Sequence, residues 1–264
     1  MAPLRFLSLA CASALLVAQA NTQGAKGLGT RGGSSGGTVT YGVTLGDPAV
    51  CFAEINEARE AAGLQSFVKA TKEDQQLPGT TNDNGKPWDE VCKALIEEEE
   101  PSVNEKSAPT GTAFKTGTYA FMALSSNEAH CAAAVDHWKA AFSSFTSVPP
   151  AKTQEESLYE KQQNISFVAM YNPSNGAAAD CRVVTCTKTT APASPNRSLS
   201  RAEGEKNGYA LLCMTTPDAF TNETTPPFTE DQWSKIKTSL TGSASGVAPS
   251  LLAFVAVALG LAAL

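Results

Sequence analysis

His130 and His137 are the only histidines in this 264-residue chain, so acid–base chemistry near neutral pH has few candidates. They stand seven positions apart, two turns of a helix. Paired metal ligands on one helix sit about four apart. His137 follows Asp136, but adjacent helical residues do not face each other. A Ser-His-Asp set can be assembled on paper, yet no nucleophile elbow supports it. The acidic run Glu97-Glu98-Glu99-Glu100 reads as a solvated helix end, where carboxylates oppose the helix dipole. It lacks the spacing of a calcium loop. Both histidines therefore read as surface or interface residues. No catalytic, cofactor or metal site is expected, and the chain is not expected to be an enzyme.

The remaining chemistry is that of cysteine. Seven are present; Cys11 lies in the first twenty residues, which read as a signal peptide. Arg5 supplies its positive start, Phe6 to Val17 its apolar core, and Ala18-Gln19-Ala20 a small-residue cleavage site. Six cysteines remain: Cys51, Cys92, Cys131, Cys181, Cys186 and Cys213. An even number in an exported chain implies three disulfides. No Cys-x-x-Cys spacing points to zinc.

These cysteines lie on recognisable elements. A first helix is expected to open at Asp47-Pro48, with Phe52 and Ile55 on one face and Gly63 as its stop. Trp88, Val91, Cys92, Leu95 and Ile96 keep helical spacing up to Pro101. Ser125 to Glu128 resembles a capping box before a stripe of Cys131, Val135, Trp138, Phe142 and Phe145, closed by Pro149-Pro150. A last helix follows Thr229-Glu230-Asp231-Gln232 and carries Trp233, Ile236 and Leu240. Strands are expected at Thr118–Leu124, Ser166–Tyr171, Arg182–Thr187 and Tyr209–Thr215. Asn172 to Gly176 is a turn, and 188–208 a polar loop. Helices, then a mostly antiparallel sheet, then a last helix make an α+β or layered sandwich fold. Cys181 and Cys186 are five apart, so a regular strand points them to opposite faces. The best-guess pair is Cys186–Cys213, across adjacent strands, with the other four cysteines tying helices to each other or to the sheet.

The ends define the setting. Residues 21–40 are rich in Gly, Ser and Thr and read as a flexible leader, with the folded domain at 41–240. Leu251 to Leu264 holds no polar residue but is shorter than the roughly 20 residues of a membrane span. Small residues from Gly242 to Gly246 precede it. This is the pattern of a glycolipid (GPI) attachment signal, with 241–264 removed on attachment at Gly242 or Ser243. The expected location is the outer leaflet of a cell membrane. Three sequons begin at Asn164, Asn196 and Asn222, the last two in loops. The formal charge of −6, without a basic run, argues against nucleic acid as a partner.

Several ordered segments resemble the SAG surface antigens of the coccidian parasite Eimeria. They are Phe52-Ala53-Glu54-Ile55-Asn56-Glu57-Ala58-Arg59, Val135-Asp136-His137-Trp138-Lys139-Ala140-Ala141-Phe142, and Phe167-Val168-Ala169-Met170-Tyr171-Asn172-Pro173. Cys181 to Thr187, Gly208 to Cys213, Pro217 to Phe220 and Phe228 to Ile236 continue the resemblance, which covers about residues 45–240 and both end signals. It implies a GPI-anchored antigen with six paired cysteines, engaged in host-cell attachment and met by host antibody. That family in turn resembles the CAP superfamily of cysteine-rich secretory proteins, antigen 5 and plant pathogenesis-related class 1 proteins. This implies a three-layer α-β-α sandwich. The superfamily's zinc-holding set of two His and two Glu does not map onto His130 and His137, which share one helix. The expected function is non-catalytic host-cell attachment or immune interaction, through an unknown host surface molecule contacted by loops 72–87 and 188–207. The alternative is a CAP-type lipid or sterol carrier.

Overall fold

Alternation along the strands divides the interior in two. The computed structural model describes residues 38–80, 88–97, 114, 117–191 and 205–242, all inside one unit, Gly36–Leu264. Five strands form one sheet: β1 (Thr38–Leu45), β2 (Val68–Lys69), β3 (Thr118–Leu124), β4 (Ala178–Ala191) and β5 (Lys206–Thr216). The main path is β1-β4-β5-β3, with every neighbouring pair antiparallel; β2 lies parallel to β4. Cys181, Leu211, Cys213 and Ala120 face one hydrophobic cluster. Val184, Cys186, Leu212 and Phe121 face another. This is the period of two expected when both faces of a sheet are covered.

Helices cover the two faces unequally. α1 (Phe52–Ala61), α3 (Cys131–Ala140), the short α4 (Glu156–Tyr159), α5 (Gln162–Met170) and α6 (Glu230–Gly242) build the first cluster. α2 (Asp89–Glu97) packs on the second with Trp88, Val91 and Cys92. Its approach depends on Gly208, where a Cβ would stand 2.9 Å from that of Leu95 and 3.1 Å from the Leu95 carbonyl oxygen. The fold is thus α+β with an antiparallel sheet.

Several expectations need correction. Ser166–Tyr171 is not a strand; it is most of α5 and the residue after it. Phe167 to Tyr171 are each at most 1% exposed. A segment buried on all sides shows no polar face, so its helical period is hidden. β1 begins at Thr38, inside the stretch read as leader, and supplies an edge strand. α1 starts at Phe52, five residues after Asp47, because Ala49 and Cys51 take left-handed backbone with φ of 66° and 64°. The Ser125 box does not cap α3: Ser126 Oγ accepts from the Glu128 amide in a local turn, and the helix begins at Cys131. The Thr229 box does form. The Thr229 amide donates to Gln232 Oε1 at 2.9 Å, and the Gln232 amide to Thr229 Oγ1 at 3.3 Å.

β3 lies at an edge of the sheet, and its outward backbone groups are met by helix side chains. Trp138 Nε1 donates to the Phe121 carbonyl at 2.9 Å. Gln162 Nε2 donates to the Tyr119 carbonyl at 2.8 Å. The Phe121 amide donates to Ser166 Oγ at 3.0 Å. Three polar side chains thus do what another strand would do, and the edge is closed to a foreign strand. Ser166→Ala leaves the buried Phe121 amide unpaired. It is expected to lower stability by about 1–3 kcal/mol in urea unfolding under oxidising conditions. An unchanged midpoint and slope would refute this role.

Candidate functional site

Register decides how the cysteines pair. In the antiparallel β4–β5 ladder Cys181 stands opposite Cys213, whereas Cys186 stands opposite Gly208. The bonds are Cys181–Cys213, Cys92–Cys186 and Cys51–Cys131. The expected Cys186–Cys213 pair is therefore corrected: the two are in adjacent strands but five positions out of register and on opposite faces. Cys186 turns to the second cluster and holds α2; Cys51–Cys131 joins α1 to α3. Each loop closed is long, with separations of 32 to 94 residues. Constraining such loops is worth about 2–4 kcal/mol per bridge.

A buried cation fastens α1 to α5. Arg59 is 1% exposed. Its Nε donates to the Gln65 carbonyl at 2.9 Å and its guanidinium to the Met170 carbonyl at 2.8 Å. The guanidinium also lies 3.6 Å from the centre of the Phe67 ring. Burial pulls its pKa down to about 10. Asn56, one turn before it, accepts the Phe67 amide at 2.8 Å. Together they fix the chain that leaves α1 and becomes β2.

The two histidines do not converge. His130 is the exposed N-cap of α3, without a side-chain cap bond. His137 is half-buried, and its carbonyl accepts from Gln163 Nε2 at 2.6 Å. No group of three or more His, Cys, Asp or Glu residues suited to a metal ion occurs among the described residues.

The expected contact loops are shorter than the sequence implied. β4 runs to Ala191 and β5 starts at Lys206, so strand pairing takes up both ends of 188–207. The start of 72–87 is pinned: Leu77 is buried and its amide donates to Asp180 Oδ2 at 2.9 Å. Asp180 in turn accepts from Arg182 Nε at 2.8 Å. Residues 81–87 and 192–204, the first twenty residues expected to be a signal peptide, and Ser243 onward lie outside the described residues.

The sequons separate by burial. Asn164 is 1% exposed, and its Nδ2 donates to the Leu158 carbonyl at 2.7 Å. Its partner Ser166 is the residue that closes the β3 edge. Asn164 is thereby corrected as a glycan site: both polar residues of the triplet serve the core. Asn222 is exposed, and its Oδ1 accepts from the Thr224 amide and hydroxyl at 3.1 and 2.7 Å. Asn196 lies outside the described residues.

A groove of about 300 Å³ opens between α1, α3 and α6. Glu54, Glu57, Asp136 and Lys139 line it, with Tyr171 and Ser239 beneath. Tyr171 is fully buried, and burial pushes its phenol up to about 12. α6 is held at this groove through Trp233, whose ring lies 5.4 Å from Phe142 and 6.1 Å from Phe167.

Residues 47–255 match the sporozoite surface antigen (SAG) protein domain. The chain belongs to the SAG family. It is 27% identical over 221 residues to the "Sporulated oocyst TA4 antigen" of Eimeria tenella, a span covering 76% of this chain and 81% of that protein. No solved structure matches it. The matched SAG region holds all three disulfides and begins just after β1, so the edge strand is the one described element upstream of it.

The SAG domain carries a pH dependence at His137. Burial lowers the pKa of this imidazole. Below its ordinary value near 6.5 the unfolded chain takes up a proton that the folded chain resists. Stability from this group is therefore present above pH ~6.5 and falls as pH drops through that value. Thermal unfolding of His137→Gln is expected to fall less than wild type between pH 7 and 5. Parallel curves would rule the effect out.

Proposed function

We propose that this SAG chain is a GPI-anchored surface antigen that attaches to a host-cell surface molecule without catalysis and is bound by host antibody. The observation that carries the reading is family membership over residues 47–255. The expected attachment point supports it: Gly242 is the last residue of α6, which Trp233 and Ile236 bury against the core. An anchor at Gly242 or Ser243 would follow directly from a fixed element. No helix among the described residues is long and apolar enough to cross a membrane. Helices on both faces of the sheet support a three-layer α-β-α sandwich of the CAP type. The contact surface is the chain between Ala191 and Lys206 together with 81–87. Residues 192–204 join β4 and β5, which Cys181–Cys213 links, and 81–87 lead into α2, which Cys92–Cys186 ties to β4.

Phospholipase C is expected to release the protein from intact cells, and the released form to bind host epithelial cells. Replacing 192–204 by a Gly-Ser linker of equal length is expected to abolish binding and leave the three disulfides intact. Full binding by that variant would defeat the proposed surface, and retention on the cells after phospholipase treatment would defeat the anchor.

Glycan, where the host adds it, belongs on Asn222. Peptide mapping after expression in a glycosylating host is expected to find Asn222 occupied and Asn164 bare in folded protein. Occupied Asn164 in a folded, disulfide-complete molecule would contradict the burial that supports this reading.

A further inference from the structure

The two edges of the sheet are finished differently. At β3 the outward backbone groups are met by Trp138, Gln162 and Ser166. The other edge is formed by β1, whose one strand neighbour among the described residues is β4, and by the short β2. β2 is two residues long and ends on Lys69, and both features discourage pairing with another chain. β1 has neither. Its eight residues, Thr38 to Leu45, include no charge and no proline. Val39 is 43% exposed and Val68 55%; they are the exposed large hydrophobic residues among those described, and both lie on this edge.

The parity of β1 determines which groups point outward. The Gly46 amide donates to the Val183 carbonyl at 2.8 Å. Bonded and non-bonded pairs alternate along an antiparallel ladder. Thr44, Gly42 and Thr40 therefore turn their backbone groups to β4, and Val39, Tyr41, Val43 and Leu45 turn theirs away. Among the described residues nothing bonds to the outward groups of Val39, Val43 or Leu45. The side chains of Tyr41, Val43 and Leu45 pack against the second cluster, whereas Thr40, Gly42 and Thr44 are exposed on the opposite face.

We propose that β1 pairs with β1 of a second copy of this chain, antiparallel about a two-fold axis at Gly42, so that two sheets join into one. Gly42 then meets Gly42 of the second copy where the strands come closest, about 4.5 Å between Cα atoms, and no side chain intervenes. On the face of the second cluster Val39 stands opposite Leu45 and Tyr41 opposite Val43. On the other face Thr40 stands opposite Thr44. Apolar, aromatic–β-branched and Thr–Thr pairs of this kind stabilise antiparallel sheets. The edge is thus complementary to itself in side chains as well as backbone, as a two-fold interface requires. Charge points the same way. The chain carries a formal charge of −6, and the uncharged β1 lets two acidic copies meet without opposed carboxylates. A foreign strand would share the backbone bonds but not these matched pairs. One pair of strands buries less than a standard interface, so the dimer is weak and depends on concentration. The pairing does not depend on the anchor or on host attachment.

The test uses the full chain made in a eukaryotic secretory host. Sedimentation is expected to show monomer giving way to dimer as concentration rises. Amide hydrogen exchange read by NMR is expected to slow severalfold at Val39, Val43 and Leu45 on dimerisation, with Thr40, Gly42 and Thr44 protected in both states. Thr40→Lys combined with Thr44→Lys sets lysines opposite one another across the axis. It is expected to weaken the dimer at least tenfold and leave the three disulfides intact. These lysines move the net charge toward zero, so the loss reports local repulsion. Thr40→Glu with Thr44→Glu is expected to be as weak alone, and an equimolar mixture of the two variants to restore the dimer. Monomer at every concentration, or a dimer in which Val39, Val43 and Leu45 exchange unchanged, would overturn the proposal. So would full protection of those amides in dilute monomer, which would mean that the chain covers its own edge, or folded, disulfide-complete variants that stay monomeric when mixed.

Discussion

The pairing of β4 with β5 is the constraint from which the remaining geometry follows. It is the longest ladder in the sheet, running from Ala178 opposite Thr216 to Lys188 opposite Lys206. A slip of one residue would exchange every inward side chain for its neighbour. Cys181 would then face the second cluster and lose Cys213, while Cys186 would turn away from α2. The disulfides and the two hydrophobic clusters are therefore satisfied together or not at all. Each bridge records a different consequence of the register: Cys181–Cys213 within the sheet, Cys92–Cys186 from sheet to helix, and Cys51–Cys131 between helices of the layer that covers Cys181.

That dependence explains which features were legible in the sequence. The parity of Cys181 and Cys186 is local, and five positions place them on opposite faces whatever the rest of the chain does. Their partners depend on register, which spacing within one strand does not determine. The α6 start was equally local, since Thr229 and Gln232 bond each other's backbone. Ser125 to Glu128 has similar residues, yet there the hydroxyl of Ser126 bonds two residues ahead and makes a turn. α5 misled for another reason. Its periodicity is masked because β3, α3 and the Phe145–Trp233 aromatic group surround it, so each of its sides is apolar or bonded. β1 was hidden by composition, as Thr and Val alternate at the end of a Gly-rich stretch that resembles a linker.

The candidate sites divide along the same line. Absence of a legible active-site motif could be read from the two histidines and their spacing. The groove could not, because Glu54 and Glu57 belong to one helix, Asp136 and Lys139 to another, and Tyr171 to the end of a helix misread as a strand. Only the packing of α1, α3 and α6 brings them together. Burial separated the sequons in the same way: the triplet at Asn164 is formally complete, but Asn164 and Ser166 are used by the interior.

Arg59 shows how the helical layer and the groove are related. Its guanidinium is buried without a carboxylate, held by two carbonyls and the Phe67 ring. A lysine would not reproduce that planar fork and stack. Arg59 lies on the same helix as Glu54 and Glu57 but turns inward, where its charge helps to hold Tyr171 below the pKa that burial alone would give. α1 thus presents opposite charges to opposite sides, the Arg59 cation to the core and the Glu54 and Glu57 carboxylates to the groove. Because Arg59 is committed to backbone carbonyls and the Phe67 ring, the cation that lines the groove is Lys139 of α3.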